Sequence, residues 1–255
     1  MIDMSILYRD SEYTVALSLF NNRNYIDCQS RHWNKFKDVH LKVSKYKCPI
    51  CECSLNNSLQ RLSNNGTTTI IATIDHFRPQ NIYPLLKCDD KNYLLMCSDC
   101  NNAYKGKQFP LHSSGNIRDV ISTSTLAITT EKPLIVNPVY DNLLDLFILV
   151  FRYTPSGKKV LELEPKETTG YLFEKAKETI KLFSLGNCES NRHSNPNVAN
   201  CRIGLLNDHF KKFYGFMEAL KNKDRYKAFY EKEKYKLEDY GFFIFIRQNQ
   251  YKYLI

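Results

Sequence analysis

The sequence predicts an α+β fold, in which a small strand-loop-strand-helix core is braced by a four-cysteine zinc site and embedded in a mainly helical protein. Three observations predict it. Two Cys-x-x-Cys pairs, Cys48/Cys51 and Cys97/Cys100, bracket one stretch of chain. The residues between them form β-branched and apolar runs separated by turn signals. On both sides of that stretch apolar residues recur at helical spacing.

Taken in order, residues 10–45 carry Val15, Leu17, Leu19 and Phe20, then Trp33, Phe36, Val39, Leu41 and Val43, which predicts two helices. Leu55 to Thr68 is rich in Asn, Ser and Gly around Asn64-Asn65-Gly66 and reads as a loop or a loose hairpin tip. Thr67 to Ile74 is β-branched and predicts a strand leading into Asp75-His76. Two prolines and a polar tract make Pro79 to Lys91 an irregular loop, Tyr93 to Met96 a second strand, and Asn101 to Lys107 a short helix ended by Gly106 and Pro110. Residues 113–135 are rich in Ser and Thr without a period. Beyond Pro138 the pattern turns helical over Tyr171 to Leu185 and over Cys201 to Leu237, where one or two long basic helices are expected. The tail from Tyr240 to Ile255 fits a strand or a docking helix. The boundaries read from this pass are a helical segment 1–45, a core 46–112 and a mainly helical region 113–255.

At 255 residues and 43% hydrophobic content the chain can fill a core of its own. It has no apolar run of the roughly 18 to 20 residues a membrane helix needs, and Met1 to Arg9 lacks a basic and apolar leader, so a cytoplasmic protein without membrane contact is expected. A net charge of +9 favours polyanionic partners, because Lys and Arg gain affinity by releasing counterions from nucleic acid. Nine cysteines without a secretion signal argue against a disulfide scaffold and for reduced thiols or a metal site.

Spacing decides for metal. Each Cys-x-x-Cys puts two thiols on one turn, and two such pairs supply the four sulfurs of a tetrahedral, structural zinc site. Buried free thiols are the plainer alternative, and two pairs in one stretch weigh against it. Cys53 and Cys88 lie close in sequence, and either can substitute as a ligand.

Between the pairs, Asp75 and His76 stand at the end of a predicted strand. There the carboxylate can hold a hard divalent cation while the imidazole takes a proton from water. Asn92, Asn101 and Lys105 follow at positions that a zinc-braced hairpin and helix would return to the same place. Asn101 comes one residue after a predicted zinc ligand and can offer an amide oxygen to the cation. Arg78, Lys105 and Lys107 can neutralise phosphate oxygens, or they can be an exposed basic face.

With Cys48-Pro49-Ile50-Cys51, Ile74-Asp75-His76-Phe77-Arg78-Pro79, Asn92, and Cys97 through Leu111 on the page, the chain resembles the HNH endonucleases, the ββα-metal fold with a four-cysteine zinc frame. More narrowly, Ile74 to Pro79 and Cys100 to Pro110 look like the PtuB-like HNH subunit of Septu and retron anti-phage defence systems. The resemblance covers about residues 45 to 112. It implies that His76 is the general base, that Asp75 and Asn101 bind a catalytic Mg²⁺ or Mn²⁺, and that Asn92 holds the loop bearing His76. By the same resemblance Cys48, Cys51, Cys97 and Cys100 hold Zn²⁺. The partners it implies are nucleic acid (DNA or RNA), a PtuA-like ATPase subunit and a retron reverse transcriptase complex. The third motif position is Asn101 rather than His, which stays compatible with Mg²⁺ and disfavours a softer ion.

One rival is a non-enzymatic zinc module that binds nucleic acid or a partner protein through the same basic face. Another keeps the enzyme and makes RNA the substrate. Phe210, Phe213, Tyr214, Phe216, Tyr226, Phe229 and Tyr230 in the basic C-terminal helices read first as core, then as stacking or docking residues.

Overall fold

The structure, a computed structural model, describes residues 1–20, 28–55, 59–63, 66–153, 157, 159–185, 213–239 and 241. The chain divides into two compact units, one of Asp3–Asn142 and one of Met1–Ile2 with Leu143–Ile255. The N-terminal helices and residues 113–142 thus share a unit with the cysteine-flanked core.

In the first unit α1 (Ser11–Phe20), α2 (Ser30–Trp33) and α3 (Lys37–Val43) lie close together, with a 3₁₀ turn at Asn34–Phe36 joining the last two. The buried stripe of α1 is Tyr13, Ala16 and Phe20, spaced three and four apart as one helix face requires. Val15, Leu17 and Leu19, expected to mark that face, are exposed. Their spacing of two points in different directions around a helix, so they could not share a buried side.

The expected strand from Thr67 to Ile74 is two strands. β1 (Leu59–Ser63) pairs antiparallel with β2 (Gly66–Ile70), and β3 (Ala72–His76) pairs antiparallel with β4 (Tyr93–Cys97). The change of partner falls at Ile71, half of whose surface is exposed. Residues 64–65, the predicted turn, lie outside the described residues. In the second pair Ala72 faces Cys97, Ile74 faces Leu95 and His76 faces Tyr93. A helix of π type, Asp99–Lys105, follows two residues after β4 and stops at Gly106, whose φ of 49° is readily adopted without a Cβ. Strand, loop, strand and helix therefore occur in the expected order. Beyond them β5 (Leu111–Asn116) pairs with β6 (Glu131–Pro133), so the Ser/Thr-rich stretch carries a short second ribbon.

Among the described residues, the second unit is less helical than the sequence suggests. After the single turn of α4 (Leu143–Leu146), β7 (Phe147–Tyr153) pairs with β8 (Lys159–Pro165) over seven residues. The run Phe147-Ile148-Leu149-Val150-Phe151 is aromatic, aliphatic and β-branched, and it suits a pleated half-buried surface better than a helix. α5 (Gly170–Leu182) covers most of the helical stretch expected over Tyr171 to Leu185. Of the predicted basic helices, residues 201–212 lie outside the described residues; the remainder forms α6 (213–221) and α7 (Arg225–Tyr235), separated at Lys223, which has a φ of 57°. Phe213 and Phe216 are core, whereas Tyr226, Phe229 and Tyr230 are exposed. Phe210 and the tail, except Gly241, lie outside the described residues. Among the described residues no helix is long and apolar enough to cross a membrane.

Candidate metal centre and active site

The Cys48–Cys51 segment is a tight turn closed by its own backbone. Glu52 N donates to Cys48 O (2.8 Å), Cys48 N donates to Cys53 O (2.9 Å), and Glu52 takes a left-handed φ of 62° to allow it. The second pair spans the end of β4 and the first residues of the π helix. Cys48, Cys51, Cys97 and Cys100 are all buried, and their sulfurs lie within 4.8 Å of one another. Cys48 Sγ is 3.7 Å from Cys100 Sγ, and Cys51 Sγ is 3.7 Å from Cys97 Sγ. Four thiolates at zinc bond length on a tetrahedron stand roughly 3.8 Å apart, so the cluster has the dimensions of a structural metal site.

The surroundings act on the thiols unequally: burial pushes Cys48 well above the ordinary thiol value, whereas at Cys51 hydrogen bonding from the neighbouring sulfurs outweighs burial and draws the thiol well below it. Cys97 N donates to Cys48 Sγ and Cys100 N to Cys97 Sγ, both at 3.3 Å. Hydrogen bonding from Cys100 and Cys48 draws the Cys97 thiol down to about 5, towards the deprotonated state that binds metal. Neither alternative ligand enters the set: Cys53 is buried beside the cluster, and Cys88 is disulfide-bonded to Cys28. That bond also corrects the expectation of thiols without disulfides, because residues sixty apart in sequence meet in the fold.

Alternation along β3 divides the remaining candidates between two faces. Thr73 and Asp75 face the π helix. Asn101 Nδ2 donates to Thr73 Oγ1 (3.1 Å), and Thr73 Oγ1 donates to Met96 O (3.0 Å). Because the threonine proton is committed to Met96, the hydroxyl accepts from Asn101, which turns the amide oxygen away from Thr73. Lys105 Nζ lies 2.7 Å from Asp75 Oδ2 and donates to His76 O at 2.9 Å. Asp75 Oδ2 is buried and its close partner is the Lys105 ammonium. Burial pushes the Asp75 carboxyl upward and the Lys105 ammonium partly offsets this.

On the opposite face, the His76 ring packs edge-on against Trp33 (4.9 Å) and Tyr93 (5.4 Å). Its Nε2 lies 3.0 Å from Lys87 O, which also accepts from Tyr93 Oη at 3.0 Å. A backbone carbonyl can only accept, so Nε2 carries the proton and Nδ1 keeps its lone pair. Burial pulls the imidazole pKa down to about 4, so the ring is neutral near pH 7. Asn92, fully buried, fixes the loop that follows His76. Its Oδ1 accepts from Arg78 N (2.8 Å), its Nδ2 donates to Arg78 O (3.0 Å) and Leu86 O (3.3 Å), and its carbonyl accepts from Phe77 N (2.7 Å).

Asp75 and Lys105 are thus brought together, with Asn101 on the same face against Thr73, while the His76 ring points to the other side of the strand. Of the three basic residues, only Lys107 is exposed. Lys105 is fully buried on Asp75, and Arg78 is buried with Nε donating to Glu131 Oε2 at 2.8 Å. Glu131 also accepts from Tyr83 Oη (2.7 Å) and Asp119 N (3.0 Å), so Arg78 braces the loop. An exposed basic face is therefore ruled out for Arg78 and Lys105: their acidic partners, thirty residues before Lys105 and fifty-three after Arg78, gave no local signal. Thr73, Trp33, Tyr93 and the Lys87 carbonyl also escaped notice. The lone tryptophan, at the end of α2, is the one hint that the sequence offers.

No family model matches the chain, and neither a curated protein nor a solved structure matches it.

Proposed function

We propose that the chain is a metal-dependent endonuclease of the HNH type that hydrolyses phosphodiester bonds, with DNA the favoured substrate and RNA the alternative. The observation that carries this reading is the sulfur-tied hairpin and helix, which sets Asp75 and Asn101 on one face with a neutral histidine at the adjoining residue. The Asp75 carboxylate and the Asn101 amide oxygen, which is turned away from Thr73, are donors of the kind a hard cation such as Mg²⁺ or Mn²⁺ takes. When bound, such an ion offsets negative charge developing on a phosphate.

The chain's own residues do the rest. His76 Nδ1 takes a proton from water, with the tautomer fixed by Lys87 O and the loop fixed by Asn92. Lys105 must yield Asp75 to the cation, and the His76 ring must reach the substrate from the end of β3. Lys107 is free to meet phosphate oxygens. A role as the effector of an anti-phage system, acting with an ATPase subunit and a retron reverse transcriptase, rests on the sequence resemblance alone.

General-base help is worth ~10²–10⁴ in rate, so His76→Ala should lose plasmid nicking by that factor in Mg²⁺ while retaining its zinc. Unchanged nicking would remove His76 from the reaction. A second reading, a zinc module that binds without cutting, is favoured by the Lys105–Asp75 pair, because that carboxylate already has a cation. It predicts intact substrate in every metal.

A further inference from the structure

The Cys28–Cys88 disulfide stands next to the group that orients His76. Cys88 directly follows Lys87, whose carbonyl accepts from His76 Nε2 and Tyr93 Oη. Cys28 Sγ lies 3.6 Å from that same carbonyl and 3.8 Å from Tyr93 Oη. Two residues after Cys28, α2 begins, and it ends at Trp33, whose ring closes the other side of the imidazole at 4.9 Å. One covalent bond therefore ties together both walls of the imidazole pocket, the carbonyl wall and the tryptophan wall, from positions sixty residues apart. Cys28 is fully buried, whereas Cys88 is only half-buried, so attack by a small thiol is directed to Cys88 Sγ.

We propose that Trp33, Tyr93 and the Cys28–Cys88 disulfide form a positioning unit for the His76 imidazole, and that reduction of this disulfide by a small thiol releases the ring and lowers turnover. The inference rests on the nuclease reading of His76 and names a regulation of that site. The exchange is balanced: a thiolate attacks Cys88 Sγ and the Cys28–Cys88 bond breaks to leave Cys28 as thiol. A second small thiolate then attacks the sulfur of the first, and Cys88 leaves as thiol. Two small thiols are oxidised to one disulfide, and the two cysteines gain two electrons and two protons. Once the bond is broken, the loop bearing Lys87 and the start of α2 are held only by non-covalent contacts, and a misplacement of about 1 Å at a reacting group costs on the order of 10²-fold.

Trp33 is the only tryptophan of the chain, so its emission reports directly on this pocket. The full-length, zinc-loaded protein is equilibrated across glutathione ratios, the Cys28–Cys88 state is read by alkylation and mass spectrometry, and Trp33 emission and plasmid nicking are measured on the same samples. The expected result is one redox midpoint for all three, with kcat at least tenfold lower in the reduced form and KM unchanged. Cys28→Ser/Cys88→Ser should match the reduced form at every ratio. Trp33→Phe should keep most of kcat, and Trp33→Ala should lose it with the disulfide intact. The proposal is overturned if no Cys28–Cys88 bond forms at any ratio, if emission is the same in both states, or if reduction lowers only the melting temperature with kcat unchanged. Cleavage in neither state, with emission still shifting at the disulfide midpoint, overturns the nuclease reading instead and leaves the packing of His76 against the redox pair standing.

Discussion

The two faces of the β3–β4 hairpin differ in kind although they share the same ten residues of strand. The face under the π helix is polar and charged: Asn101 bonds to Thr73, and Lys105 pairs with the Asp75 carboxylate. The face under the N-terminal helices is aromatic: His76 lies between Trp33 and Tyr93 with its charge suppressed. The comparison teaches that one strand can hold an ion-paired carboxylate and a neutral imidazole side by side, because a two-residue period sends adjacent side chains into separate environments. Both faces depend on the sulfur cluster at the far end of β4.

Breaking that shared support should have the largest effect. Cys97→Ser, or removal of the ion by a chelator, is expected to abolish both faces at once, read as lost zinc stoichiometry and a lost cooperative melt, since a structural ion carries folding free energy. A hairpin that survives without metal would show that the cluster is not its foundation. Next, Lys105→Met attacks the charged face alone and should cost about 3–5 kcal/mol in urea unfolding by leaving a buried carboxylate unpaired. Adding Asp75→Asn should recover much of that loss, whereas a change at His76 should not.

Acid attacks the aromatic face. Burial holds His76 at about 4 and His40 at about 3, both below the ordinary histidine value of 6.5. Each binds fewer protons folded than unfolded, so stability is complete above pH 6.5 and falls as pH drops towards 4, by on the order of 3 kcal/mol for His76. Asp75 works the other way, since its raised carboxyl costs stability that is regained on protonation. A melting temperature that stays flat from pH 7 to 5, with no difference between the parent and His76→Phe, would contradict the assignment. The smallest expected effect is Thr73→Val, about 1–2 kcal/mol from the lost hydrogen bonds to Asn101 and Met96, measured by the same unfolding.

Much of this was legible beforehand. The two Cys-x-x-Cys pairs led to the cluster because metal geometry constrains spacing, and β-branched runs bounded by Pro and Gly located the hairpin. What was not legible depends on partners distant in the chain. Lys105 and Arg78 look like surface cations until Asp75 and Glu131 arrive beside them, and Cys28 and Cys88 look like stray thiols until the fold joins them. The sides of β3 were also hidden, because periodicity separates Asp75 from His76 without saying which neighbours cover each. At β7 the run Phe147–Phe151 is apolar at every position, so no period of two marks it as a half-buried strand.

The β1–β2 ribbon leaves and re-enters the core at two anchored points. Lys47 bridges Ser54 before it, and after it Ser98 N donates to Ile71 O at 2.8 Å. Since both stems are fastened independently of the ribbon, its length is free to vary, and the entropy of a longer excursion grows only logarithmically. This is the place where the scaffold can accept grafted sequence, or shed residues, while its chemistry stays in register.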